Sequence, residues 1–210
     1  MPTTHHVAHF EDLAKQGHAA RLGMWLFLGS EALLFSGLFT LYAAYRNEYT
    51  SDFAAGAQLT NLPLGTIMTA VLLVSSFFMA FALATARQER SRVSIAALAT
   101  TFLLGIVFLG LKATEYTMHF RDGIFPGAYY TGPLGERHGV VLFFTLYYIM
   151  TGLHALHVIG GLVLVGWLAR RTRRGDFGEA WSTPLELGGL YWHFVDIIWL
   201  FLWPLFYLLR

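Results

Sequence analysis

The sequence predicts an all-α, polytopic membrane protein: five transmembrane helices in one bundle, with the amino terminus cytoplasmic and the carboxyl terminus external. Three observations carry this. Hydrophobic residues make up 56% of the 210 residues and charged residues only 13%, too little charge for a soluble domain of this size. Five apolar runs, at about 23–45, 62–84, 93–116, 140–168 and 185–209, are long enough as helices, at about 1.5 Å per residue, to cross a hydrocarbon core of about 30 Å. The basic residues divide unevenly between the two sides these runs define. One side collects Lys15, Arg21, Arg87, Arg90, Arg92, Arg170, Arg171, Arg173 and Arg174, and the other Arg46, Lys112, Arg121, Arg137 and Arg210; nine of the 14 against five places the amino terminus in the cytoplasm.

Residues 1–22 form a polar segment carrying His5, His6, His9 and His18 without ordered spacing, which reads as a solvated extension or a short surface helix. No small-x-small cleavage site ends the first apolar run, so that span is expected to stay attached, and residues 23–210 make up the membrane domain. The chain has no cysteine, which excludes disulfides, thiolate metal sites and cysteine nucleophiles. No basic face interleaved with aromatics supports nucleic-acid binding.

The first span carries Glu31 about 12 Å from its start, on the face of Phe27, Leu34, Phe35, Leu38 and Tyr42, so the carboxyl group is expected to point into the bundle. A neutral, hydrogen-bonded acid is its simplest state, and a proton-exchanging site the functional alternative. Arg46–Asn61 reads as a short loop leading through Pro63 into an uncharged second span, whose Ala and Ser suit close helix packing. A basic turn, Arg87–Arg92, precedes the third span. Near the far end of that span Lys112 and Glu115, three residues apart, are expected to form an interfacial, external-side salt bridge. Met118–Arg137, full of Gly, Pro and Tyr, reads as a surface loop docked on a partner. The fourth span places Tyr147, His154, His157 and Gly161 on one side, and its length implies tilt.

The fifth span sets His193 and Asp196 into an aromatic helix. Glu186, Gly189, His193, Asp196, Leu200 and Tyr207 share one face, expected to seek protein, whereas Val195, Ile198 and Leu202 share the opposite face, expected to seek lipid. An aspartate near mid-bilayer costs about 2.5–3.5 kcal/mol and needs partners. In depth, Glu31 and His193 lie about 12 Å from the cytoplasmic side, Asp196 and His157 about 16 Å, and His154 slightly further. The expectation is a buried polar network of Glu31, His154, His157, His193 and Asp196, satisfied among the first, fourth and fifth spans. Haem or metal ligation by the histidines is a sharper alternative, but the i, i+3 pair His154 and His157 points into one hemisphere, unlike ligands facing each other across a haem. No nucleotide loop, nucleophile elbow or zinc-protease helix is present.

Five strings then resemble, in order, subunit III of haem-copper terminal oxidases. These are GSEALLFSGLF (Gly29–Phe39), PLGTIMTAVLLVSS (Pro63–Ser76), KATEY (Lys112–Tyr116), TGLHALHVIGG (Thr151–Gly161) and YWHFVDIIWLFL (Tyr191–Leu202). Long members of that family have seven helices, and this chain resembles the short five-helix bacterial form, so the lipid sites of the cleft made with the first two helices do not carry over. In such forms an extended subunit I supplies the missing helices. Ala155 stands between the histidines where the family usually has Gly.

The resemblance implies a bacterial inner-membrane protein, with its carboxyl terminus periplasmic, acting within an enzyme that reduces oxygen to water and pumps protons. It implies no cofactor in this chain, haem and copper in partner subunits I and II, direct contact with subunit I, and contacts with subunit II, small subunits and lipid. The cytochrome c branch is the expected donor class. A quinol oxidase subunit III, the accessory membrane protein of nitric oxide reductase systems and a stand-alone haem- or metal-binding membrane cytochrome are the alternatives.

Overall fold

The computed structural model describes residues 13–178 and 181–209; His5, His6, His9 and Arg210 lie outside the described residues. Among the described residues six α-helices follow one another: α1 (Leu13–Glu48), α2 (Thr50–Gln58), α3 (Leu62–Arg87), α4 (Ser91–Arg121), α5 (His138–Arg173) and α6 (Thr183–Trp203), the last continued by a π-helical turn, Pro204–Leu208. All except α2 are long and apolar enough to cross a membrane. The protein is thus an all-α membrane protein with five spans.

The spans alternate in direction, so Lys15, Arg21, Arg87 and the arginines at the end of α5 gather on one side, called here the arginine-rich side. α3 and α4 form a hairpin, α4 packs on α5, α5 on α6, and α6 returns to α3, closing a four-helix ring. α1 leans into the groove between α5 and α6, and only 11% of its apolar stretch is buried, against 33% or more in the other spans. A four-helix body with a side-mounted fifth helix results.

Local chemistry accounts for several boundaries. Asn61 accepts a hydrogen bond from the Leu64 N–H (3.0 Å) and Pro63 occupies the first turn, a favourable start for α3. Asp52 of α2 accepts from the Gly139 N–H (3.2 Å), capping α5 from outside, and lies 3.7 Å from Arg137. Pro204 has no N–H to continue the α6 ladder, and the chain passes into the wider π-turn there. Carbonyls left open at the end of the chain's last turn are met from elsewhere: Tyr42 donates to Leu205 O (2.6 Å) and Thr60 to Phe206 O (3.0 Å). Gly65 lets the turn close, since a Cβ there would stand 2.8 Å from the Tyr207 ring.

The structure departs from sequence expectation in four places. α1 begins ten residues before the expected span, because Leu13–Leu22 is rich in Ala, Leu, Lys, Gln and Arg, all good helix formers. The expected Arg46–Asn61 loop contains α2, which buries Phe53, Gly56 and Ala57 at i, i+3, i+4 spacing. α4 runs five residues beyond 116 to Arg121, and the connection after it holds a short 3₁₀ turn, Gly127–Tyr129. Finally Val195, Ile198 and Leu202, expected to face lipid, are buried, while Ile197, Leu200 and Phe201 are exposed. With neighbours α1, α3 and α5, α6 is enclosed on nearly every side, so the polarity of one face does not report which side is covered.

Candidate functional site

Two acid–base pairs lie within the spans. The first is a cage around Lys112 on α4. Its ammonium donates to Glu115 Oε2 (2.8 Å), Tyr147 Oη on α5 (2.8 Å) and Tyr207 Oη in the π-turn (3.1 Å), so all three N–H groups are used. Tyr207 in turn donates to Glu115 Oε2 (2.7 Å), and the cation stands 4.3 Å from the Tyr147 ring centre. Side-chain exposure is 3% for Lys112 and 0% for Glu115. The expected i, i+3 salt bridge thus forms, and it is enclosed by neighbouring helices in a buried, charge-compensated cluster. Glu115 Oε1 and the Nδ1 of nearby His119 find no hydrogen-bond partner among the described residues.

The second centre joins α1, α5 and α6. His157 Nε2 meets Glu31 Oε2 at 2.9 Å, and its Nδ1 meets the Leu153 carbonyl at 2.9 Å. A carbonyl only accepts, so Nδ1 carries a hydrogen. The Nε2···Oε2 bond then requires one further proton, held either by the carboxyl group or by the ring. The pair is therefore a neutral unit built around one shared proton. Tyr191 donates to the His157 carbonyl (2.9 Å) and Phe35 packs edge-on against the imidazole at 5.4 Å. Unlike the cage, this pair is partly open, with 19% of the Glu31 side chain and 15% of the His157 side chain exposed.

The other three residues of the expected network have separate surroundings. His193 Nδ1 bonds Ser76 Oγ of α3 at 2.5 Å, a helix outside the expected set. Asp196 is 5% exposed and neither carboxyl oxygen has a hydrogen-bond partner among the described residues. His154, 1% exposed, sits between the rings of Phe108 (5.6 Å) and Trp199 (5.2 Å) with neither ring nitrogen bonded. Thus His154 and His157, neighbours in sequence, serve different environments. Among the described residues no three His, Asp or Glu side chains converge as around a metal ion.

α3 contributes more polar contacts than its uncharged sequence suggested. Its Ser75 accepts from Trp192 Nε1 (2.8 Å) and its Thr69 from Trp199 Nε1 (3.0 Å), fixing α6 along its length. Trp192 also lies against Gly161, where a Cβ would approach the indole to 2.8 Å. On the arginine-rich side Glu186 accepts from Arg21 (3.0 Å) and from Arg87, a clasp that ties α1, α3 and α6. A cavity of about 320 Å³ between α3 and α6 runs from Arg87 and Glu186 past Gly189 to His193. Outside the spans, Tyr130 donates to the Pro133 carbonyl (2.6 Å), and burial raises its phenol above the ordinary range.

A model of the family described as cytochrome c oxidase subunit III matches residues 3–209. The chain is 30% identical over 205 residues to the cytochrome c oxidase subunit 3 of Alkalihalophilus pseudofirmus, covering 96% of this chain and 92% of that protein. It is 28% identical over 210 residues to the probable quinol oxidase subunit 3 of Staphylococcus aureus strain USA300, covering 98% of this chain and 96% of that protein.

Proposed function

Because the chain belongs to the cytochrome c oxidase subunit III family, and is therefore a multi-pass cell-membrane subunit of a bacterial haem-copper oxidase, we propose that it is the non-redox subunit III of a cytochrome c oxidase that reduces oxygen to water and pumps protons. The family match over residues 3–209 carries this reading. Haem and copper belong to subunits I and II. This chain binds subunit I directly, with subunit II and lipid around it, and its amino terminus is cytoplasmic by the bias of its basic residues.

Within that role Lys112 and Glu115 hold the helices together, and the Glu31–His157 pair stores an exchangeable proton in the half of the membrane nearer the arginine-rich side, where it sustains proton uptake by subunit I. The shared proton and the partial exposure of the pair support this assignment. Asp196, His193 and His154 complete the buried polar layer as structural groups.

The test is a reduced-minus-oxidised spectrum of the tagged chain, extracted in mild detergent, before and after it is stripped from its partners. An oxidase-type haem band that stays with the partners, leaving a colourless chain, is expected. Colour travelling with the chain alone would make it a cytochrome in its own right. A second reading, subunit III of a quinol oxidase, has the Staphylococcus aureus relative in its favour. Oxygen consumption by the purified complex with reduced cytochrome c, and separately with a quinol, distinguishes the two donors.

A further inference from the structure

The hydrogen bonds around Lys112 can be followed donor by donor. Its ammonium gives one hydrogen each to Glu115 Oε2, Tyr147 Oη and Tyr207 Oη, and Tyr207 gives its own to Glu115 Oε2. The Thr151 hydroxyl donates to the Tyr147 carbonyl (2.6 Å), so its contact with Tyr116 Oη (2.6 Å) is made with the Tyr116 hydrogen. Tyr148 donates to the Ile124 carbonyl (2.8 Å). Two donors thus converge on Glu115 Oε2, and among the described residues none reaches Oε1. A carboxylate spreads its charge over both oxygens. Glu115 is 0% exposed, so Oε1 is a strong acceptor held away from solvent, a costly arrangement without a donor.

One helical turn further along α4, His119 is 4% exposed, and its Nδ1 also has no partner among the described residues. Its ring is boxed by α5, with ring centres of Phe144 at 5.6 Å, Tyr147 at 5.4 Å and Tyr148 at 6.4 Å. Residues four apart on a helix have Cβ atoms about 5–6 Å apart, so the Glu115 and His119 side chains are neighbours on one face. No direct bond joins them. Two buried polar atoms on adjacent side chains, each needing a partner and beyond bonding distance of one another, define a place for a third group that bonds both.

Chemistry selects that group. Lys112 already balances the charge of Glu115, and among the described residues no three His, Asp or Glu side chains converge as a metal ion requires. An anion would be repelled by Oε1. A small neutral molecule that donates to Oε1, and either donates to Nδ1 or accepts from it, satisfies both atoms whichever ring nitrogen carries the hydrogen. We infer that Glu115 and His119 bind one water molecule, enclosed between α4 and α5, which supplies the donor for the second carboxylate oxygen of the cage. His119 is its positioning residue. Lying two residues before the end of α4 at Arg121, it also closes the site on the side opposite the arginine-rich one.

The test is single-particle cryo-electron microscopy of the intact complex, at a resolution that shows ordered water, for the parent and two variants. In the parent one isolated solvent peak is expected, about 2.7–3.2 Å from both Glu115 Oε1 and His119 Nδ1. His119→Phe keeps a ring in the aromatic box but deletes the nitrogen, and should lose the peak while the Lys112 contacts stay in place. His119→Asn, which sets a polar atom where Nδ1 stands, should retain it.

A parent map with no peak, or with Glu115 and His119 bonded directly to each other, would overturn the inference, and this arm needs no variant to fold. A peak with four ligands at about 2.0–2.2 Å would be a metal ion and overturn the assignment to water. A peak undiminished in His119→Phe would overturn the role given to His119.

Discussion

The cage around Lys112 and the Glu31–His157 pair are both acid–base pairs inside membrane helices, yet they are built differently. Lys112 spends every donor on a different oxygen and is shut behind two tyrosines and a tryptophan. Glu31 and His157 share one bond between a peripheral helix and the ring, and both remain partly open. Geometry thus separates an enclosed pair, whose cation has all its donors used, from a partly open pair joined by a single hydrogen bond. A membrane protein can place both kinds of group at hydrophobic depth by varying only how completely the donors are used and how much the site is covered.

The largest test of this contrast is Lys112→Met. It leaves Glu115 buried without its cation and should cost about 3–5 kcal/mol, seen as lost yield of the assembled complex and a large fall in thermal midpoint in detergent. Removing both charges, Lys112→Met with Glu115→Leu, should restore most of that stability. If the single and double variants melt together, the cage is not a closed charge pair. Tyr207→Phe keeps the ring but deletes the hydroxyl that bridges Lys112 and Glu115, and should lower stability by about 1–3 kcal/mol in the same melting assay.

The open pair should respond differently. Glu31→Gln retains an N–H to donate to His157 Nε2, so its melting point should stay near that of the parent while the exchangeable proton is lost and activity decays faster during turnover. Glu31→Ala should lose about 0.5–1.5 kcal/mol as well. Unchanged turnover lifetime in both variants would make the pair structural, like the cage. The smallest effect is expected at the half-exposed clasp, where Arg21→Gln should cost about 0.2–1 kcal/mol and less at high salt. Melting at two ionic strengths checks it.

Much of this was legible in the sequence and some could not be. Five spans follow from length and apolarity alone, and Glu31 and His157 were placed at similar depth by counting residues from helix starts. Counting gives depth but not azimuth, which is why His193 was assigned to the wrong neighbours: its partner, Ser76, lies on a helix with no charge to mark it. The enclosure of Lys112 depends on Tyr147 and Tyr207, which other elements bring to it and which spacing along α4 does not report. Tyr207 was read on the polar face of α6, but its reach depends on the π-turn at Pro204, whose geometry no periodicity reports. The Arg21–Glu186–Arg87 clasp had a readable signal, two cations and one anion at the same end of three spans.

That π-turn has a consequence for biogenesis. Tyr207 is synthesised 95 residues after Lys112, and Tyr147 only 35 residues after it. At about 5–20 residues per second, Lys112 is synthesised roughly 5–20 s before its second tyrosine exists. During that interval α4 is a helix with a half-coordinated charge, and the ring of α3 to α6 has no means of closing. The cage therefore cannot be complete until the last turn of the chain, which carries Tyr207, has been made.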